Sequence, residues 1–240
     1  MSARTFYEHT VVMGEGDGDT AITRVERRLL DKHGVRPTRV LDLGCGAGSN
    51  TQALFGGRSD VQVVGLDIAY PSAQAYVAGT GRAALVGSGE ALPLRDGAFD
   101  LIVCNDVIEH LVDPDTFLEQ VRRVLAPGGH LVLSTPNLAA WFNRLALLAG
   151  VQPAFSEVSF RKIFGRPGQD VVGHLRLYTP RALLPFLEFH GFRVLEAAAA
   201  PFHAIPARLQ PIERLMARRV GLGGITVVLV TPDGGATAPR

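Results

Sequence analysis

Three closely spaced glycines follow an apolar run in the segment VLDLGCGAGSNT, residues 40–51. Gly44, Gly46 and Gly48 have no Cβ, so they permit positive φ angles and let a ligand approach the main chain closely. The apolar residues before them predict a buried strand that leads into the loop. This arrangement predicts a small-molecule site, and a loop that only turns the chain is the alternative.

A second group of residues could move protons. Histidine is the side chain best suited to accept a proton near neutral pH. His110 closes the segment DVIEH, in which Asp106, Glu109 and His110 share one face of a helical turn by their spacing. His174 stands where a later insertion returns to the core. We therefore predict His110 and His174 as catalytic residues for an acceptor that must lose a proton.

Composition limits the ligands and partners. The chain has 240 residues, 47% of them apolar, and a net charge of +1, so no basic field draws it to nucleic acid or to an anionic membrane. Its two cysteines, Cys45 and Cys104, argue against a disulfide scaffold or a four-cysteine zinc site. The chain shows no signal-like apolar segment and no run of the roughly 18 to 20 apolar residues that a membrane span needs. We expect a soluble cytoplasmic protein.

Strand-like and helix-like patterns alternate along the chain, which predicts a mainly parallel sheet covered by helices on both faces. We predict one domain over residues 1–230 and a disordered tail over residues 231–240. The predicted strands span residues 39–43, 61–67, 84–86, 99–105, 130–135, 192–199 and 225–230, and the predicted helices span residues 20–33, 50–55, 71–77, 114–126 and 178–190.

Ligands bind such sheets at the carboxyl ends of the strands. The glycine loop, Asp67 and Asn105 each come at a predicted carboxyl end, so we expect them to meet at one edge of the sheet. Asp67 as a helix cap and Asn105 as a plain strand end are the alternatives for each residue taken alone.

An insertion at residues 138–177 interrupts the alternation. It begins with a helix whose apolar stripe is typical of packed core, and it continues with aromatic residues interleaved with cations, which predicts a lid over the substrate. A solvated loop over the sheet edge is the alternative. The stripe consists of Leu138, Trp141, Phe142, Leu145 and Leu148, and the lid residues are Phe155, Phe160, Arg161, Lys162, Phe164 and Arg166.

The glycine loop resembles motif I of the class I S-adenosylmethionine-dependent methyltransferases. Its pattern D-x-G-x-G-x-G spans residues 42–48, whereas the nicotinamide dinucleotide fingerprint G-x-G-x-x-G would need a third glycine where Ser49 stands. VVGLDIA resembles the second motif of the family, and LAPGGHLVLSTPN resembles its closing block. The resemblance implies a Rossmann-like, doubly wound α/β sheet of seven strands with an antiparallel last strand at residues 225–230.

The same resemblance implies that S-adenosyl-L-methionine is the cofactor. In the family an acid at the second strand end takes both ribose hydroxyls, and Asp67 matches it, since a carboxylate can accept two hydrogen bonds. Ser88 and Gly89 stand where the family commonly has an Asp-Ala pair, so the usual carboxylate for the adenine amino group is missing. The implied cofactor-binding residues are Arg24, Asp42, Gly44, Cys45, Gly46, Asp67, Ile68, Ser88, Gly89 and Asn105.

Two further matches are to relatives that methylate oxygen. Arg24 lies twenty residues before Gly44 and resembles the cofactor-carboxylate ligand of ubiquinone-pathway O-methyltransferases, and a solvated helix face is the alternative. DVIEH resembles the corresponding segment of those enzymes and also the Asp/Glu-x-x-Glu-His metal site of methyltransferases that modify small-RNA 3′ ends. Glu109, His110 and His174 are therefore an alternative metal site that would lower the pKa of a hydroxyl, although we favour a reaction without a metal.

We expect methyl transfer to a small-molecule acceptor, with a hydroxyl oxygen favoured. A sulfonium is already an activated leaving group, so the protein mainly has to align the acceptor and exclude water. Metal-assisted O-methylation, N- or C-methylation and a non-catalytic cofactor-binding subunit are the alternatives. We also expect no nucleic-acid or membrane partner, and a monomer or homodimer.

Overall fold

The computed structural model describes residues 20–165 and 171–234. Predictions for the N-terminal segment 1–19, for Arg166 and for the tail beyond residue 234 lie outside the described residues. In chain order the elements are α1 (Ala21–Lys32), β1 (Arg39–Leu43), α2 (Ser49–Phe55), β2 (Gln62–Asp67), α3 (Tyr70–Thr80), β3 (Ala84–Val86), β4 (Phe99–Asn105), α4 (Pro114–Val124), β5 (Leu125–Pro136), α5 (Trp141–Leu148), α6 (Pro180–Phe189), β6 (Phe192–Ala200), α7 (Gln210–Met216) and β7 (Ile225–Pro232).

The seven strands form one sheet in the order β3-β2-β1-β4-β5-β7-β6. Strands β1 to β5 pair in parallel, and β7 runs antiparallel to both of its neighbours, β5 and β6. Parallel strands joined by helices put their carboxyl ends at one edge of the sheet. The prediction of a doubly wound sheet with an antiparallel last strand is confirmed.

Local hydrogen bonds fix where two of the site-supporting helices begin. Thr20 caps α1 by accepting from the Thr23 amide at 3.2 Å. Asp113 caps α4 by accepting from the Thr116 amide at 3.0 Å, with Pro114 at the first helical position. The two helices then present their apolar faces to the sheet.

The core lies on both faces of the sheet. On one face α4 and α6 pack on the strands through buried residues that include Phe117, Val121 and Leu187. On the other face α1 packs through Leu29 and Leu30. The two cysteines are free and buried. Burial on both faces explains why the strands read as apolar runs rather than as alternating patterns.

Strands β5 and β7 extend beyond their predicted bounds, and one helix was not predicted. Strand β5 begins at Leu125 rather than at residue 130, because Leu125 already pairs with Phe99 next to an irregularity in the register. Strand β7 continues to Pro232, so the predicted tail cannot begin at residue 231. Helix α7 was not predicted, because its exposed Ile212 and Leu215 give no apolar face.

The apolar stripe predicted for the first helix of the insertion is packed core only in part, since Phe142 packs against the core. In α5 the side chains of Leu145 and Leu148 are 56% and 85% exposed, whereas Asn143 is buried. The Asn143 amide donates to the Asn137 carbonyl and accepts from the Ala154 amide. These polar bonds decide which face of the helix turns inward.

Candidate active site

The glycine loop follows β1 and is tied to the end of β2. The amides of Gly44 and Cys45 donate to the Leu66 carbonyl at 2.8 and 3.2 Å. Gly44, with φ +77°, has no room for a side chain because a Cβ would overlap Val107, whereas the space beside Gly46 is open. The loop is therefore held against the strands while one side of it stays open to a ligand.

A cleft of 390 Å³ lies at the carboxyl ends of β1, β2 and β4. The predicted site residues that line it are Gly44, Gly46, Asp67, Ile68, Ser88, Gly89, Asn105 and His110. Further lining comes from Leu43, Leu66, Ser72, Gly87, Glu90, Asp106, Val107, Leu111, Val112 and Val172. The structure thus brings most of the predicted residues to one edge of the sheet, where ligands bind in this fold.

Asp67 connects the glycine loop to β2. One carboxylate oxygen accepts from the Gly46 amide at 3.0 Å, and the other accepts from the Ala69 amide at 2.9 Å. Each oxygen has a second lone pair, so the carboxylate can still accept two hydroxyl groups from a ligand. Burial raises the pKa of Asp67 above its ordinary value.

Asp42 and Cys45, both predicted to contact the cofactor, lie outside the lining of the cleft as far as the structure is described. Asp42 is buried and accepts a hydrogen bond from the Thr51 hydroxyl. The Cys45 sulfur fills the space over Gly65, where a Cβ would lie 2.8 Å from it. Side chains alternate along a strand, so Asp42 points away from the face that its neighbour Leu43 presents to the cleft. Both residues hold the loop in place, and their contact with the cofactor stays a prediction.

Arg24, predicted to bind the carboxylate of the cofactor, is exposed on α1 and is not among the described residues that line the cleft. One turn further along α1, Arg27 donates to the Ala53 carbonyl of α2 at 2.9 Å. The described structure does not bring Arg24 to the other cofactor residues, and its role stays a prediction.

Ser88 and Gly89 form a turn after β3. The Ser88 hydroxyl accepts from the Glu90 amide at 3.2 Å, and a Cβ on Gly89 would lie 2.9 Å from the ring of Phe117. Glu90 also lines the cleft, and its carboxylate accepts from the Asp113 amide at 2.7 Å. Sequence reasoning missed Glu90. It directly follows Ser88 and Gly89, which stand where the family commonly has an Asp-Ala pair, and an acid at this place was the signal that could have indicated it.

His110 lies in the short 3₁₀ helix Ile108–His110 after β4 and lines the cleft. Its Nδ1 lies 3.1 Å from the Gly173 carbonyl oxygen. Because a carbonyl only accepts, Nδ1 carries the proton of the neutral ring, and Nε2 is the acceptor nitrogen. Burial and the neighbouring His174 lower the pKa of His110 to about 4, so the ring is neutral at pH 7.

His174 packs against His110, with ring centroids 4.9 Å apart, but it does not belong to the described lining of the cleft. Its side chain is 8% exposed, and its Nδ1 donates to the Phe155 carbonyl at 2.8 Å. His110 therefore lies at the cleft with His174 packed against it, and the role of both histidines at the acceptor stays a prediction.

Glu157 anchors the segment that carries His174. Its carboxylate accepts from the amides of Val172, Gly173 and His174 at 2.7, 2.8 and 3.2 Å. The same segment supplies the carbonyl that orients His110. Sequence reasoning missed Glu157, because its partners lie at least 15 residues further along the chain and no local pattern marks it.

Glu109 is fully buried beside the two histidines. Its Oε2 accepts from the Thr135 hydroxyl at 2.9 Å, whereas Oε1 has no hydrogen-bond partner in the described part of the chain and lies 4.0 Å from His174 Nε2. Burial and the nearby Asp106 raise the pKa of Glu109 well above its ordinary value. Burial therefore favours the protonated form of this carboxyl.

Comparison with known proteins gives the fold and the cleft a family. A family model described as a methyltransferase domain matches residues 17–197, which is most of the chain. The chain belongs to the class I S-adenosylmethionine-dependent methyltransferases. Its reaction is methyl transfer, and its cofactor is S-adenosylmethionine.

Two curated relatives of this methyltransferase are O-methyltransferases. The chain is 32% identical to the malonyl-[acyl-carrier protein] O-methyltransferase of Geobacter sulfurreducens, over 84% of this chain and 77% of that protein. It is 24% identical to the ubiquinone biosynthesis O-methyltransferase of Colwellia psychrerythraea, over 72% of this chain and 68% of that protein. Both alignments span the greater part of each chain.

Solved structures share the fold of this methyltransferase at low sequence identity. A Haloferax volcanii methyltransferase in complex with the Trm112 activator has a TM-score of 0.70 and 18% identity, covering 98% of this chain and all of that one. The 1,6-didemethyltoxoflavin-N1-methyltransferase of Burkholderia thailandensis, solved with S-adenosylhomocysteine, has a TM-score of 0.59 and 20% identity, covering 90% of this chain and 80% of that one. At such identities the likeness concerns the fold.

The cleft of the methyltransferase fits its cofactor. Asp67 offers lone pairs for a ribose diol, and the open side of Gly46 leaves room for close approach. Ser72 and Asn105 line the cleft, and within the described ranges the buried Ser72 hydroxyl and Asn105 Oδ1 have no hydrogen-bond partner. Buried polar atoms of this kind are stabilised when a ligand supplies the missing partner. When bound, the cofactor supplies an electrophilic methyl group.

Proposed function

We propose that this methyltransferase acts on a hydroxyl oxygen of a small-molecule acceptor. The observation that carries the proposal is the neutral ring of His110 at the wall of the cleft, with Nε2 as its acceptor nitrogen. A hydroxyl must lose its proton when its oxygen is methylated, and a neutral imidazole can take it. The names of the two curated relatives, both O-methyltransferases, support the same choice.

We call His110, Gly173 and His174 the histidine corner, and in this proposal each of them has a separate task. His110 accepts the hydroxyl proton on Nε2 as the oxygen becomes methylated, and the Gly173 carbonyl keeps the ring oriented through Nδ1. His174 packs against the ring of His110 and limits its rotation. After the transfer the proton passes from Nε2 to water.

We also propose that the insertion at residues 138–177 covers the acceptor. Val172 brings the insertion to the cleft, and Phe155 packs beside His174 beneath it. Phe160 and Phe164 are 48% and 52% exposed, so they are apolar side chains that a bound acceptor could cover. Excluding water around a reacting sulfonium prevents its hydrolysis and favours transfer to the acceptor.

The test is turnover of labelled cofactor with a panel of phenols, carboxylic acids, amines and carbon acids, followed by identification of the methylated atom. We expect O-methyl products and a loss of roughly 10² to 10⁴ in kcat when His110 is replaced by alanine, with nearly unchanged S-adenosylhomocysteine affinity. An N- or C-methyl product would contradict the proposal and show that the acceptor atom is nitrogen or carbon. Full turnover of His110→Ala would leave alignment as the whole mechanism.

A metal-assisted O-methyltransferase is the second candidate. Glu109, His110 and His174 each offer a ligand atom, and these atoms lie within 4.8 Å of one another. The Glu109 Oε1 that has no partner fits such a role, and one carboxylate with two imidazoles suits several divalent metals. When bound there, a divalent ion would lower the pKa of an acceptor hydroxyl.

Chelation separates the two candidates. If the histidine corner works without a metal, EDTA leaves turnover of the unmodified protein unchanged. A loss of turnover after EDTA that is as large as the loss in His110→Ala, and that magnesium or zinc reverses, would support the metal-assisted reaction. Glu109→Gln is the matched variant, since it keeps the volume of the side chain and removes the anionic ligand.

A further inference from the structure

Helix α1 buries a carboxyl group that neither the fold nor the acceptor site explains. Glu26 is fully buried, and both of its carboxylate oxygens lack a hydrogen-bond partner in the described part of the chain. Burying such a group costs free energy unless it is compensated. A hydrophobic side chain at this position of α1 would avoid that cost.

Two amide side chains lie next to Glu26. Asn50 of α2 and Asn105 at the end of β4 both act to lower the pKa of Glu26, whereas burial, Asp42 and Asp106 raise it, with a result of about 7. Among the described residues, the groups named here that act on the pKa of Glu26 include no cation. The surroundings of Glu26 at this end of the sheet therefore combine two amides with two further buried acids.

The hydrogen bonds already formed indicate how the amides are oriented. Thr23 donates to the Asn50 Oδ1 at 2.8 Å, so the NH₂ group of Asn50 points away from Thr23. That NH₂ group has no hydrogen-bond partner among the described residues. A carboxylate only accepts, so Glu26 favours the NH₂ groups of Asn50 and Asn105 on its side. The Asn105 Oδ1 is then the atom left over, and it is buried without a partner.

Asn105 lines the cleft, whereas Glu26 does not. Of the two amides beside Glu26, Asn105 is the one that lines the cleft, so it can relay the position of Glu26 to a bound molecule. The amino-acid half of S-adenosylmethionine carries an α-ammonium group, which has only donors and a positive charge. An acceptor oxygen backed by a buried carboxylate complements both properties.

We propose that Glu26 is a positioning residue for the amino-acid half of the cofactor, holding the Asn105 amide so that its oxygen accepts from the α-ammonium group. The ionised form of Glu26 accepts from the Asn105 NH₂ group and so keeps the amide oxygen turned toward the ammonium group. The inference depends on the cofactor and not on the identity of the acceptor.

The test compares S-adenosylhomocysteine with 5′-methylthioadenosine, which has the same adenosine but lacks the amino-acid half. Calorimetry on Glu26→Gln should show S-adenosylhomocysteine binding about tenfold weaker, the effect of about one hydrogen bond to a charged group, with methylthioadenosine affinity changed less than about twofold. Glu119→Gln, which removes an exposed carboxylate from α4, is the matched control and should change neither affinity. An equal loss for both ligands, or a loss for neither, would overturn the proposal.

A double-mutant cycle tests whether Glu26 acts through Asn105. If it does, Glu26→Gln combined with Asn105→Ala weakens S-adenosylhomocysteine no more than Asn105→Ala alone. Full additivity of the two losses would mean that Glu26 does not act through Asn105, and the proposal would fail. Melting temperatures of all variants separate binding effects from misfolding.

The unmodified protein supplies an independent readout. The ratio of the two ligand affinities cancels Asp67, which serves the adenosine common to both. This ratio should favour S-adenosylhomocysteine more strongly at pH 8 than at pH 6, as Glu26 ionises, with Asp42 and Asp106 titrating nearer pH 6. A ratio that does not change with pH would contradict the proposal even if Glu26→Gln cannot be purified.

Discussion

Asp67 accepts from two main-chain amides and is also the proposed ligand of the ribose hydroxyls. We expect Asp67→Ala to weaken S-adenosylhomocysteine by roughly 1.5 to 3 kcal/mol, the range for hydrogen bonds to a charged group. Calorimetry measures the change, and Glu188→Ala on the exposed side of α6 is the control. Unchanged affinity in Asp67→Ala would remove Asp67 from the cofactor site.

Glu26 also makes the stability of the ligand-free protein depend on pH. Its pKa is about 7 in the folded protein against an ordinary value of 4.5, so the folded state binds more protons than the unfolded state between these values. Its contribution to the free energy of unfolding is fully present below pH 4.5 and is lost as the pH rises through 7. The loss amounts to about 3 kcal/mol.

Glu26→Gln cannot ionise, so its stability relative to the unmodified protein should improve as the pH rises from 5 to 8. His110, whose pKa is lowered, changes stability in the opposite direction in both proteins and cancels in the comparison. Urea unfolding at several pH values measures the difference. A difference that stays constant with pH would show that Glu26 is not the titrating group.

At the scale of elements, Glu157 accepts three hydrogen bonds from the amides of the segment at residues 171–174, where the insertion returns to the core. Glu157→Gln keeps the size of the residue but loses the charge that strengthens three hydrogen bonds to amides, so the segment at residues 171–174 should loosen. We expect a lower kcat and a higher KM for the acceptor, because this segment orients His110, with S-adenosylhomocysteine affinity nearly unchanged. Equal losses in cofactor affinity and kcat would indicate general unfolding instead.

Sequence patterns predicted well the elements that are determined by residues within the element itself. Strands β1, β2 and β4 are apolar runs buried on both faces, and α4 carries its own cap at Asp113. The buried face of α5 and the existence of α7 depend on distant partners. Glu213 of α7 is buried because it accepts from the Trp141 indole and from the Phe202 and Gly224 amides. No pattern within either helix contains this information.

The same distinction applies to the site. Gly44, Asp67 and Asn105 were predictable, because glycines and polar residues at strand ends follow from the backbone geometry of a parallel sheet. The positions of His174 and Glu26 were not, since each depends on how a separate helix or loop lies over the sheet. Residue type alone could not tell that one histidine faces the cleft and the other supports it.

At the scale of the whole molecule, cofactor binding should stabilise the complete fold. A ligand at a hundred times its dissociation constant adds about 2.7 kcal/mol to the free energy of unfolding, which raises the melting temperature of a chain of this size by roughly 5 to 10 °C. We expect S-adenosylhomocysteine to give this shift in a thermal melt and NADH to give none. A larger shift with NADH would contradict the cofactor assignment.

The antiparallel strand β7 has a consequence for the order in which the protein can assemble. Within the sheet β6 pairs with β7, and β7 in turn separates β6 from β5. During synthesis on the ribosome, the strands that carry the glycine loop and Asp67 emerge early and can pair with one another, whereas Phe192–Ala200 must wait for Ile225–Pro232. A nascent chain halted before residue 225 would therefore expose an unpaired strand edge, which is the kind of surface that chaperones bind and that aggregates.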